Sequence, residues 1–434
     1  LWLVRKESRE LMASAGWWVL LAAIGPLAGM SFISAMRTYA EISGLNGTSA
    51  GVGEAMAPLI GIWAPTFSAC EIAAVFLLPF VAIRLVAGDR HSGALKLEIQ
   101  HRMPVTGHIA AKMLVLLAGW LIAMLAPAIA ILLWRSYGGV VYAPEIATVA
   151  FGHILNAGLT IALAAAMSSL APHPATAAIL TLSVTVATWI LDFAAAVQGG
   201  WWERAAAFTP SAMVAEFQHG LVRLSATLIA LILIVAGGAF AAVWMRLGFS
   251  VKRRVHESVA IAVTAAVAIL LTAPIRANWD TSESRANSFS EADQRALLSI
   301  HAPIRIEVHL APEDPRRVDL DRHAIAKLRR LLPNLEVSYV AATSTGLFEQ
   351  TRESYGEIWY DIGGKKAMSR ATTEEAVLET IFGLAGVTPA PESDENVFHG
   401  HPLAATPRGA AAIFYGVWPV AVIACGLFAQ RKLR

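Results

Sequence analysis

Four polar side chains interrupt stretches that are otherwise apolar: Glu71, His153, Asn156 and Asp192. Burying such groups in hydrocarbon is costly, so each reads either as a functional group or as a device that holds helices together. A carboxylate, an imidazole and an amide could line a path for a polar solute. Glu71 sits midway along its stretch, and the two readings balance there. His153 and Asn156 stand three apart, on one helical face, and hydrogen bonding inside a bundle is the simpler account of both. Asp192 lies near the end of its stretch, within reach of an interface. No nucleophile, base and orienting group can be assembled from the four, so an intramembrane enzyme built on Glu71, His153 and Asp192 is only an alternative.

Other chemistry is missing. "GGKKAMS" (363–369) lacks the glycine spacing of a phosphate-binding loop, and no HExxH or GxSxG motif occurs. His399 and His401 flank Gly400 without an obvious third metal ligand. Cys70 and Cys425 both lie in apolar runs, where a free thiol packs as a small hydrophobe. No catalytic residue, cofactor or metal is therefore expected on this chain.

The elements that must position these groups are membrane helices. Of 434 residues, 56% are hydrophobic and 15% charged, well away from the usual balance of a soluble domain. Eight runs reach the roughly 20 residues a spanning helix needs: Gly16–Met36, Pro58–Ile83, Met113–Trp134, Ile146–Leu170, Ala175–Val197, Leu224–Met245, Val255–Ile275 and Gly409–Ala429. The first is of full spanning length and lacks a small-residue cleavage site, so it reads as a span and not as a cleaved signal. The chain opens on Leu1, and its true start is expected to be missing or altered. With the N-terminus inside, the inner loops and tails hold 15 Lys and Arg against four in the short outer loops. That bias predicts cytoplasmic termini. Residues 276–408 hold 15 basic and 20 acidic residues and are then extracytoplasmic.

This outer segment reads as a small α/β domain. "IRIEVHLA" (304–311) and "LEVSYVA" (335–341) are expected strands, and "EIWYDI", Gly363-Gly364 and "KKAMS" an expected hairpin. Residues 319–333 and 372–386 are expected helices, the second opened by Thr372 three residues before Glu375 in a capping-box pattern and closed by Gly386. Residues 387–408 read as a linker.

The longest inner loop, Arg84–Lys112, invites a partner. Gly88 and Gly93 can break the preceding helix. Leu95, Ile99 and Met103 repeat every four residues as a helical stripe, while Leu95, Leu97 and Ile99 also alternate as a strand would. "AGDRHSGALKLEIQHRMPVTGHIAAKML" resembles the corresponding loop of type-2 ABC transporter permeases. The likeness rests on Asp89-Arg90, Ser92-Gly93-Ala94-Leu95, Pro104-Val105 and Lys112; Asp89 and Ala94 depart from the commoner Glu and Thr. The opening "LWLVRKESRELMAS" is similar to that family's interfacial elbow helix. Residues 279–340 and 355–384 resemble the auxiliary component of gliding-motility-type ABC transporters, through Asp280, Thr281, Ser288-Phe289-Ser290 and Pro303–Leu310.

The resemblance implies a mainly α-helical integral membrane protein with a six-helix exporter core. It divides the chain into an elbow helix (1–15), a permease domain (16–247), a seventh span (248–275), the outer domain and linker (276–408), and an eighth span with a basic tail (409–434). It implies the permease subunit of a bacterial inner-membrane exporter, working with a second copy or a paralogue. ATP and Mg would be bound by a separate cytosolic ATPase docking on 84–112. Asp89, Arg90, Gly93, Leu95, Ile99 and Pro104 would carry the coupling. The outer domain would meet substrate or a periplasmic partner, and no nucleic acid is involved. A scaffold or sensor that transports nothing is the alternative.

Overall fold

The computed structural model describes residues 2–45, 57–92, 104–198, 201–206, 209–311, 314–340, 354–390 and 398–433. These form two compact units, one of residues 1–189, 209–281 and 400–434, the other of residues 190–208 and 282–399.

The first unit is helical. It opens with α1 (Trp2–Ala13) and α2 (Ala15–Leu45). A π-helical turn, Leu59–Trp63, leads into α3 (Ala64–Phe76) and α4 (Leu78–Ser92). Next come α5 (Val105–Ala123), α6 (Leu125–Ser136), α7 (Ala143–Leu170) and α8 (Pro174–Gln198). The part of α8 beyond residue 189 and the short helix α9 (Trp201–Ala206) belong to the second unit, and α10 (Pro210–Gln218) of the first precedes strand β1 (Leu221–Arg223). Then α11 (Leu224–Met245) and α12 (Val251–Thr272) follow, and β2 (Asn278–Asp280).

Among the described residues eight helical stretches are long and apolar enough to cross a membrane. Their outward faces carry bare Leu132, Val235 and Leu270, and α12 buries none of its residues. Such surfaces suit lipid and not water. Two stretches run well past the sequence expectation. The first continues to Gly44, and the third begins at Val105 and not at Met113. Gly88 does not end α4, which runs on to Ser92. One glycine inside a helix costs only about 1 kcal/mol, too little to stop a strongly apolar run.

The core joins α2, the π-helical turn, α3, α5, α6 and α7 through Trp17, Phe32, Trp63, Phe67, Trp120, Trp134 and Ile161. Trp134 stacks edge-on against both Tyr39 and Trp63, at 5.4 and 6.0 Å between ring centres. The last membrane-length stretch packs on α2 where Gly25 and Gly29 leave room. A Cβ at Gly25 would lie 2.1 Å from the Trp418 ring, and one at Gly29 would lie 2.3 Å from Phe414. Small residues four apart let two apolar helices approach closely. The Trp418 indole N–H donates to the Leu21 carbonyl at 2.6 Å, and α17 (Trp418–Leu433) completes the stretch.

The second unit contains a four-stranded sheet, ordered β4-β3-β5-β6. Its elements are α13 (Glu291–Leu298), β3 (Ile304–Val308), α14 (Pro315–Leu320), a π turn (Asp321–Ile325), α15 (Ala326–Leu331), β4 (Leu335–Tyr339), β5 (Ile358–Ile362), β6 (Lys365–Ser369) and α16 (Glu374–Ala385). β3 and β4 are parallel, joined by the helical crossover, and the other pairs are antiparallel. Gly363 and Gly364 both take positive φ, as a two-residue hairpin turn demands. Ile304, Ile306, Val308, Tyr360 and Ile362 point into a core closed by Leu320, Leu328, Val377 and Ile381. Arg305 and Trp359 lie on the opposite, open face. The capping box expected at Thr372 is absent. Thr373 is the N-cap residue and its hydroxyl caps nothing.

Candidate functional site around Glu7 and Lys112

Leu3, Glu7 and Leu11 recur every four residues on α1, and all three are buried. A carboxylate thus sits in the middle of an apolar stripe. It is met there by Lys112, on the third turn of α5, whose Nζ lies 2.6 Å from Glu7 Oε2. The same ammonium donates to the Leu85 carbonyl of α4 at 3.1 Å. Both side chains are essentially fully buried, at 0% and 1% exposure. One lysine therefore ties α1, the middle of α4 and the third turn of α5. Lys6 supports the carboxylate at 3.3 Å and also bridges Glu10 at 3.0 Å. Burial pushes the Glu7 carboxyl above its ordinary value, and attraction to Lys112 opposes that only in part. A buried pair of this kind is costly to assemble and costlier to break.

Lys112 reads from sequence as a charge in the inner loop, but it belongs to a helix interior. Of the residues expected to couple, Asp89 and Arg90 lie in the last turns of α4. Pro104 is the N-cap residue of α5, with extended backbone at φ −67° and ψ 150°. Its carbonyl accepts from Gly107 N at 2.9 Å. A proline fits at a helix start, where its missing N–H is not needed. Gly93, Leu95 and Ile99 lie outside the described residues, as does the question of helix or strand over Leu95–Met103.

The expected path residues are placed as follows. His153 and Asn156 lie on α7 and are buried. The His153 ring packs 5.6 Å from Phe67 of α3, and its Nε2 is 3.3 Å from Gln218 Nε2. Both polar atoms of the Asn156 amide lack a hydrogen-bond partner among the described residues. Glu71 stands one turn beyond Phe67 on α3 and is half-buried; Asp192, on α8, is half-buried in the other unit. Gln218 escaped the sequence reading because it follows no apolar run. It is brought in by Phe217, whose Cβ lies 2.4 Å from where a Cβ on Gly152 would be. The same region holds Thr148, which accepts a 2.8 Å hydrogen bond from Thr281, just past β2. Pairing of β1 with β2 fixes that arrangement.

No three His, Cys, Asp or Glu side chains cluster in metal-binding geometry among the described residues. No family model, curated protein or solved structure matches the chain. The site accordingly speaks through its own geometry: a buried ion pair that joins α1, α4 and α5, and a separate buried polar patch around His153.

Proposed function

We propose that this chain is the membrane-spanning permease subunit of an ATP-driven exporter in a bacterial inner membrane. A separate cytosolic ABC ATPase grips the segment between α4 and α5, and a second copy or paralogue completes the path. The observation that carries this reading is the buried Glu7–Lys112–Leu85 anchor. A passive loop gains nothing from burying an ion pair at its base. A segment that is pushed by a partner does, because its displacement must reach the helices without being absorbed by slack.

In this account ATP-driven closure of the ATPase pair displaces the segment, and α4 and α5 move with α1 as one body. The bundle then passes between two arrangements, which requires each to make different contacts. The unit built on the β4-β3-β5-β6 sheet serves as a docking module for substrate or an envelope partner. The test is reconstitution with the partner ATPase of a double variant, Arg90→Glu with Leu95→Asp. Loss of stimulated ATP hydrolysis with normal membrane insertion is expected; normal hydrolysis overturns the proposal.

A further inference from the structure

A groove of about 900 Å³ runs between α1 and α17. Its apolar wall is made by Met12, Trp18 and Phe428, and its polar rim by Arg5, Arg9 and Lys432. Trp18 donates its indole N–H to the Met12 carbonyl at 2.7 Å, so the ring is held with its polar edge satisfied. Phe428 is 68% exposed. The rim is strongly one-signed. Glu10 is the acid in the lining, and it is engaged by Lys6 at 3.0 Å. Arg5, Arg9 and Lys432 have no ion-pair partner among the described residues. Arg5 and Arg9 are four apart on one helix, where like charges repel unless an anion lies between them.

We infer that this groove holds an anionic phospholipid, with its headgroup phosphate among Arg5, Arg9 and Lys432 and an acyl chain along Trp18 and Phe428. The combination of a cationic rim and an apolar wall matches that ligand and no simple inorganic anion. The arginines of α1 and the basic end of α17 both fall on the side that the charge bias assigns to the cytoplasm, where anionic headgroups attract lysine and arginine. Occupancy has a structural consequence, since it clamps the helix that carries Glu7. The inference needs the chain to be membrane-embedded but does not need the ATPase partner.

The experiment is native mass spectrometry of the full-length protein in detergent, titrated with phosphatidylglycerol, phosphatidylcholine or inorganic phosphate. Membrane fractionation of every variant is run beside it, so that failure of membrane insertion is seen separately. Preferential retention of phosphatidylglycerol is expected. Arg5→Gln/Arg9→Gln/Lys432→Gln should weaken it by about a hundredfold, at roughly tenfold or less per cation near an anionic surface. Phe428→Ala should weaken both lipids alike. Lys252→Gln/Arg253→Gln, away from the groove, should change nothing. Equal retention of the two lipids, undiminished phosphatidylglycerol binding in the triple variant, or phosphate binding as tight as lipid overturns the inference.

Discussion

Replacing Lys112 by Met leaves Glu7 buried without its nearest cation, and the resulting cost can be worked out. The stranded carboxylate escapes by taking up a proton. For a carboxyl that ordinarily ionises at 4.5, being held neutral at pH 7 costs about 3.4 kcal/mol, at about 1.4 kcal/mol per pH unit. Lys6, 3.3 Å away and partly exposed, recovers some of this. The lost bond to the Leu85 carbonyl adds about 1 kcal/mol or slightly more. Lys112→Met should therefore destabilise the helical unit by about 3–4 kcal/mol at pH 7. Glu7→Leu/Lys112→Met removes both charges and should return to within about 1 kcal/mol of the parent. The pH dependence has a definite sign. A carboxyl whose folded value is raised contributes stability that is fully present below its unfolded value and is lost as pH rises through the folded one. The Lys112→Met defect should hence shrink as pH falls from 7 toward 4.5. Equilibrium unfolding in mixed detergent micelles, followed by tryptophan fluorescence, measures all three. If the effects of Glu7→Leu alone and Lys112→Met alone add in the double variant, or if the Lys112→Met defect is flat with pH, the anchor is not what holds the segment.

Further expectations follow from other contacts. Gly29→Val forces a side chain into the Phe414 ring and should cost about 1–3 kcal/mol while loosening the last helix; protease protection near residue 410 reads it, against Gly88→Ala, which has open space and should be neutral or stabilising. Asp314 caps α14 through Arg316 N at 2.9 Å, and the Arg316 guanidinium and the Tyr355 hydroxyl also bond its carboxylate. Those bonds hold its carboxyl below the ordinary value, so its contribution is present above pH 4 and lost as pH falls further, and Asp314→Asn should cost about 1–2 kcal/mol near neutrality with nothing left to lose in acid; hydrogen exchange of β3 and α14 checks both. Excision of 284–397 should preserve assembly with the ATPase and impair transport, because Thr281 bonds Thr148 and the Tyr39 hydroxyl donates to the His401 carbonyl, so both flanks remain with the helical unit. Unimpaired transport would make the sheet unit a passive insert.

The helices are legible because hydrocarbon demands long apolar runs, and the sheet because β3 alternates and Gly363-Gly364 marks the β5–β6 hairpin. What escaped was whatever depends on distant pairing. Glu7 and Lys112 are 105 residues apart, and composition alone makes each a solvated charge. Glu7 did leave a trace, as a carboxylate on the Leu3–Leu11 stripe of α1. In sequence His108 and Lys112 fall in a loop because their polarity shortens an apolar window, yet α5 buries both. The β1–β2 ribbon joins segments more than 50 residues apart, each only three residues long, too short for a periodic signal. Thr372 fits a capping box in sequence, but the helix begins one residue later and the hydroxyl bond is not made.

The proposed function stands or falls on whether a separate ATPase grips the segment between α4 and α5. The most direct measurement is site-specific cross-linking from Leu95→Cys, in a background with Cys70 and Cys425 replaced by Ala, during reconstitution with the cytosolic ATPase. A cross-link to the ATPase whose yield changes with ATP is expected. A contradictory result would be no cross-link at Leu95→Cys in a reconstituted complex whose ATP hydrolysis is nonetheless stimulated.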